Sequence, residues 1–172
     1  MSTQNVGDDQ SVRDAATELS QRLGNEKLYA IVNNAGTGVA HNTLPPEILN
    51  TNTRGPRRVV DSFLPLLNKT GRIVNVGSGG GPGHVNRIQA DDSNWKRFCY
   101  PMNHDEIEKE INIIEAQNDS SVAYRGSKAL LACYTMALAK QYPGLMISII
   151  TPGELEICGL PCVGEVKSKC IL

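Results

Sequence analysis

Charge of one sign is the first thing this chain lacks. Its 17 Lys and Arg against 18 Asp and Glu leave a net charge of −1 over 172 residues. A surface that neutralises nucleic-acid phosphates needs a basic excess, and Arg54, Arg57 and Arg58 are too small a cluster to supply one. Long hydrophobic runs are missing as well; none approaches the roughly 18 residues of a membrane span. The opening M-S-T-Q-N-V-G-D-D has neither the basic start nor the apolar stretch of a signal peptide. The expectation is a cytoplasmic chain with no nucleic-acid and no membrane partner. Cysteine is sparse and odd in number, at five. Cys158, Cys162 and Cys170 crowd the tail without a nearby histidine or the paired short spacings that zinc requires. The ending K-C-I-L puts its cysteine third from the end, where a prenylation box needs it fourth. Free thiols and no metal site are expected.

What is present is an ordinary globular composition, 40% apolar and 20% charged, long enough for one domain with a sizeable core. Val12, Ala15, Ala16, Leu19 and Leu23 recur at helical spacing, and Gly24 follows as a stop. L-Y-A-I-V (28–32) is an apolar run of strand length that breaks into N-N-A-G. Residues 46–67 read as a helix broken near Gly55-Pro56, and R-I-V-N-V (72–76) as a second strand that ends in G-S-G-G-G-P-G, with no clear helix opening after it. Residues 84–121 are polar and charged apart from one amphipathic patch, Ile107, Ile111 and Ile114. A helix over about 122–141 and a buried-type strand over 145–150 complete the described pattern, and no internal repeat is visible. Alternating helices and strands predict an α/β parallel sheet. The tail from Glu154 has no clear periodicity and is left unassigned.

Tyr124 and Lys128 stand four apart in Y-R-G-S-K, so on a helix they share a face. A phenol, with a reference pKa of about 10, is a poor acid–base group at neutral pH. A cation about 4 Å away contributes roughly 4 kcal/mol in a surface-like dielectric, enough to lower that value by about two or three pH units. Lys128 can supply the cation while Tyr124 passes a proton to a carbonyl oxygen as hydride arrives. Ser78, at a strand's carboxyl end, is placed to hydrogen-bond the same oxygen. Taken alone, the pair reads equally as a half-buried tyrosine beside a snorkelling lysine.

The order of motifs carries more than the pair. N-N-A-G, T-N-T-R-G with Asn52, F-L-P-L-L, G-R-I-V-N-V-G-S, Y-R-G-S-K and a final P-G follow one another from about residue 5 to 153. In this order the chain resembles the short-chain dehydrogenase/reductase family, specifically its carbonyl-reductase branch. The resemblance implies part of a Rossmann-like doubly wound parallel sheet in a three-layer α/β/α arrangement, as one domain over 1–172 with an insert at about 84–121. It implies Asn52, Ser78, Tyr124 and Lys128 as a catalytic tetrad acting on a small-molecule carbonyl or alcohol with NADP(H). Asn34, Ala35 and Gly36 would lie beside the cofactor ribose, with Tyr124 and Lys128, and Pro152 and Gly153 beside the nicotinamide. In the family Asn52 holds a water through its main chain. Pro56 has no N–H for the carbonyl of Asn52, which suits that role, although it equally suits a simple helix break. The insert implies a monomer, because in this branch it covers the face that other members use to dimerise; its plain alternative is a solvated loop.

Three departures from the family pattern bear on activity. The T-G-x-x-x-G-x-G turn is not among these residues, and Gly77 to Gly83 does not reproduce its spacing. A mobile loop over the substrate is the expectation for that stretch. Without the proper turn the pyrophosphate loses a helix N-terminus. Two or three charge-assisted bonds at about 1.5 kcal/mol each correspond to roughly a thousandfold in affinity. The strand at 28–32 becomes an exposed apolar edge. Finally, Asn5-Val6 and Ile157 replace an acidic and a hydroxyl residue that the branch places near its cofactor. The alternative to a reductase is therefore a catalytically inactive, truncated reductase remnant, an interaction module or a fragment.

Overall fold

A computed structural model describes residues 5–39, 42–90 and 92–153. Its centre is a three-stranded parallel sheet of β1 (Leu28–Asn33), β2 (Leu67–Val76) and β3 (Met146–Ile150), in that order. The helices are α1 (Asp9–Leu23), α2 (Pro45–Leu49), α3 (Gly55–Phe63), α4 (Gly80–Ile88), α5 (His104–Glu115) and α6 (Ser120–Gln141). In register, Ile31 faces Ile73, which faces Ile147. Because side chains alternate along a strand, these three line the face against which the helices pack, with Ile48, Leu49, Ile111, Leu130 and Leu131 among the core side chains. The opposite face carries Val32, Val74 and Ile150, of which Val32 is 59% exposed. The described residues thus build the sheet and one helical layer of the partial Rossmann-like α/β fold. β1 is one of the two edge strands of this sheet among the described residues, as the departure from the family pattern implied.

Local chemistry accounts for the helix ends. Asp8 caps α1 by accepting from Ser11 N at 2.6 Å, and Gly24, at φ 56°, closes it by donating to Ser20 O. Asn103 and Glu106 form a reciprocal capping box at the start of α5. Asp119 accepts from Ser121 N and Val122 N at the start of α6.

Four expectations need correction. No break occurs at Gly55-Pro56. The chain passes from α2 to α3 through a π-helical turn, Asn50–Arg54, with Gly55 N donating to Asn50 O. Proline removes a donor there, and the backbone answers by widening its hydrogen-bond register. That helical run also ends early, since Leu67 already belongs to β2. β2 is longer than its apolar run because Leu67 pairs with Leu28 across a register shift, in a segment too polar to read as a strand. Lastly, the glycine-rich stretch forms no loop over a substrate but opens helix α4. Gly81 lets α4 approach α6 closely: a β-carbon there would sit 3.1 Å from the Lys128 backbone.

The insert is packed. Phe98, Met102, Ile107, Ile111 and Ile114 are all buried, and Arg54 grips Glu108 with bonds of 2.7 and 3.1 Å. Cys99 and Cys133 are free thiols. Ile157, Cys158, Cys162, Cys170 and the rest of the tail lie outside the described residues. Among the described residues no helix is long and apolar enough to cross a membrane.

A buried polar chain joins the sheet to α6. Asn33 Nδ2 donates to Asn75 Oδ1 at 2.8 Å, Asn75 Nδ2 to Thr135 Oγ1 at 2.8 Å, and Thr135 Oγ1 to Leu131 O at 2.7 Å. Tyr134, the neighbour of Thr135, is buried too, yet its hydroxyl has no partner among the described residues.

Two stability outcomes follow. Ile111→Ala, at a fully buried position of the insert, should cost about 2–5 kcal/mol in urea unfolding. Exposed Ile113→Ala should stay within about 0.5 kcal/mol. Burial holds the Tyr134 phenol above its ordinary pKa. The unfolded chain therefore releases this proton first, and stability falls as pH rises above about 10, by up to about 1.4 kcal/mol per pH unit. Tyr134→Phe should remove that alkaline loss and cost little at neutral pH, because the hydroxyl satisfies nothing. Denaturant unfolding at neutral and alkaline pH checks both halves.

Candidate active site

Every residue singled out as a site candidate lies at or near the carboxyl edge of the sheet, where open α/β sheets hold ligands. Asn34, Ala35 and Gly36 follow β1, Ser78 follows β2, and Pro152 and Gly153 follow β3. Tyr124 and Lys128 ride on one face of α6, and Asn52 sits in the π-helical turn.

Four of these residues form one connected cluster. Tyr124 Oη lies 3.3 Å from Ser78 Oγ, and Ser78 Oγ also accepts from Gly80 N at 3.1 Å. Lys128 is 8% exposed and donates from Nζ to Val76 O, at the end of β2, at 3.0 Å. Burial lowers its pKa from the ordinary lysine value. Asn52, 1% exposed, works through its side chain. Its Oδ1 accepts from Thr37 N at 2.9 Å, and its Nδ2 donates to Thr37 O at 2.8 Å and to Ser127 Oγ at 3.1 Å. This clamp holds the loop after β1 against α6.

The surrounding glycines leave room. A β-carbon on Gly36 would lie 3.3 Å from Asn52 Oδ1 and 3.6 Å from Lys128 Nζ, so this exposed loop stays open above the lysine. A β-carbon on Gly38 would press the Tyr124 ring at 3.2 Å, and one on Gly80 would meet it at 3.4 Å. The phenol is therefore flanked by two glycines, with its oxygen at Ser78. Pro152 and Gly153, the latter at φ 80°, make no hydrogen bond to this cluster among the described residues.

Two positioning residues escaped the sequence reading. Ser127 lies within Y-R-G-S-K, fully buried, accepting from Asn52 and donating to Tyr124 O at 2.7 Å. Thr37 supplies the backbone groups that Asn52 pairs. A serine at helical spacing from the tyrosine was the available signal for the first; nothing in the sequence marks the second.

The arrangement can place a substrate oxygen between two hydroxyls, with a lysine behind them held by a backbone carbonyl. Ser127→Ala should cost about 1–3 kcal/mol, since it leaves one of Asn52's buried donors without its partner. Urea unfolding of the variant against the parent chain measures it.

The family model for short chain dehydrogenase matches residues 1–90. Among curated relatives, (+)-neomenthol dehydrogenase of Capsicum annuum is 29% identical over 132 residues, 67% of this chain and 40% of that protein. Short-chain dehydrogenase/reductase 1 of Saponaria officinalis is 34% identical over 125 residues, 66% of this chain and 41% of that protein. The chain thus spans about two fifths of the length of these two relatives. Salutaridine reductase from Papaver somniferum superposes with a TM-score of 0.66 at 21% identity, over 87% of this chain and 67% of its own. NADPH-bound carbonyl reductase from chicken fatty liver does so with a TM-score of 0.59 at 25% identity, over 90% of this chain and 60% of its own. The motif order, the parallel sheet and these matches agree: the chain belongs to the short-chain dehydrogenase family of oxidoreductases.

Proposed function

We propose that this is a cytoplasmic, NADPH-dependent carbonyl reductase, with Tyr124, Lys128, Ser78 and Asn52 as its catalytic residues. The observation that carries the reading is the 3.3 Å approach of Tyr124 Oη to Ser78 Oγ, at the carboxyl edge of the sheet. The cofactor fits the residues present on one count: glycine at 36 keeps the space above Lys128 Nζ free of a side chain. Asn34, Ala35, Gly36 and Lys128 would hold its ribose, with Tyr124 beside them, and Pro152 and Gly153 its nicotinamide. The bound cofactor supplies hydride chemistry. On the protein side, Ser78 Oγ and Tyr124 Oη orient the carbonyl oxygen, and Tyr124 gives up its proton to that oxygen. Lys128 favours the phenolate so formed, and Asn52 keeps the loop carrying Gly36 in place. The same residues run an alcohol oxidation in reverse. The packed insert favours a monomer, since Ile107, Ile111 and Ile114 bury themselves over the body of the molecule.

A second reading, a non-catalytic interaction module, is favoured by the uncovered sheet face. Tyr29, Val32, Met146 and Ile150 are all exposed there or at its edge.

Consumption of NADPH with a simple aromatic ketone or aldehyde decides between them. The reductase reading expects turnover that Tyr124→Phe lowers at least about a hundredfold in kcat, with a much smaller change in KM. A folded chain without turnover, or a fully active Tyr124→Phe variant, would overturn it.

A further inference from the structure

Beyond Gly80 from Tyr124 lies a cavity of about 400 Å³, lined from α4, the 3₁₀ turn Trp95–Cys99, α5 and the start of α6. Gly80 separates it from the site above: a β-carbon there would touch Tyr124 Cε1 and Arg125 Cγ at once, each at 3.4 Å. Arg125 follows Tyr124 on α6 and lines the cavity with Arg87 and Arg97.

These three cations are not equally matched. Arg97 is committed to Glu110, through bonds of 2.6 and 3.0 Å, and to Asp92. Among the described residues neither Arg87 nor Arg125 forms a salt bridge. Arg125 Nη1 donates to Ser121 Oγ at 2.6 Å, and its Nε is buried without a partner. The carboxylate of Asp119 feels both cations, but its oxygen is engaged by the Val122 and Ser121 amides that begin α6.

His84 also lines the cavity. It is 5% exposed, set edge-on to Phe98 at 5.4 Å, and its ring nitrogens have no hydrogen-bond partner among the described residues. Burial, then Arg125, lowers its pKa from the ordinary histidine value, and an imidazole carries at least one N–H to donate in either charge state. The His84 ring nitrogens and the part of the Arg125 guanidinium not held by Ser121 are donors that no carboxylate of the described residues takes up, and a ligand that accepts from them gains charge-assisted hydrogen bonds. Asp92 and Glu110, both taken up by Arg97, and Gln117 also line the cavity; the apolar wall is Ile88, Ile114 and Val122, with Ile113 exposed at the rim.

We infer that this cavity binds a small carboxylate, its apolar body against Ile88, Ile113 and Val122, its oxygens taking donors from Arg125, Arg87 and His84. The acid-binding site is separate from the hydride chemistry and needs no cofactor.

Benzoate titrated into the full chain, followed by calorimetry and by the His84 ring resonances in NMR, tests it. Saturable binding is expected, with benzyl alcohol failing to bind and inorganic phosphate binding more weakly. Arg87 is exposed, so R87Q leaves the fold intact. R87Q and R125Q should each weaken benzoate at least about tenfold, with circular dichroism confirming both variants folded. Absence of saturation, equal binding of benzyl alcohol, tighter binding of phosphate, or unchanged affinity in folded R87Q would each overturn the proposal.

Discussion

A fully buried asparagine, Asn75, joins two elements that the candidate site depends on. Through Asn33 it ties β2 to β1, and through Thr135 it ties the sheet to α6. In a low-dielectric interior such a chain tolerates only one arrangement, because shifting α6 would strand several buried polar groups together. Tyr124 and Lys128 lie N-terminal to Thr135 on that same helix. Their height above the sheet is therefore set by polar pairing, while the apolar core around Ile73 and Leu130 supplies adhesion without that precision.

The second constraint is close approach. Gly81 brings α4 against the Lys128 backbone, and Gly126 brings α6 against Ile114 of α5, whose Cδ1 would lie 2.6 Å from an added β-carbon. Side chains larger than hydrogen at these positions would push the helices apart. The glycines thus set the spacing around Tyr124, and the clamp of Asn52 on Thr37 and Ser127 sets the loop opposite. Site and packing are one structure here: the contacts that stabilise α6 are those that aim its two chemical residues.

Much of this was legible in the sequence, for identifiable reasons. β1 and β3 announce themselves as apolar runs of strand length, and Ile107, Ile111 and Ile114 give α5 its period. The four-residue spacing of Tyr124 and Lys128 is enough by itself to place both on one helix face. What stayed hidden was decided by tertiary contact. α4 begins in glycine and proline, both poor helix formers, and is stabilised by packing on α6 that its own sequence does not reveal. The π-helical turn is a backbone adjustment to Pro56 that a periodicity search reads as a break. For Asn52 the sequence drew attention to the main-chain carbonyl and gave no sign that its side chain joins Thr37 to Ser127 across a long sequence separation. Ser127 sat unremarked inside a motif whose other members drew the attention.

On the proposed reading, the residues around Lys128 form one half of a nicotinamide site. Titration with NADPH, followed by nucleotide fluorescence, tests it most directly. Saturable binding that Lys128→Met weakens at least about tenfold is the expected result. No change in fluorescence up to about millimolar NADPH, an affinity limit of only about 4 kcal/mol, with the protein folded by circular dichroism, would contradict it.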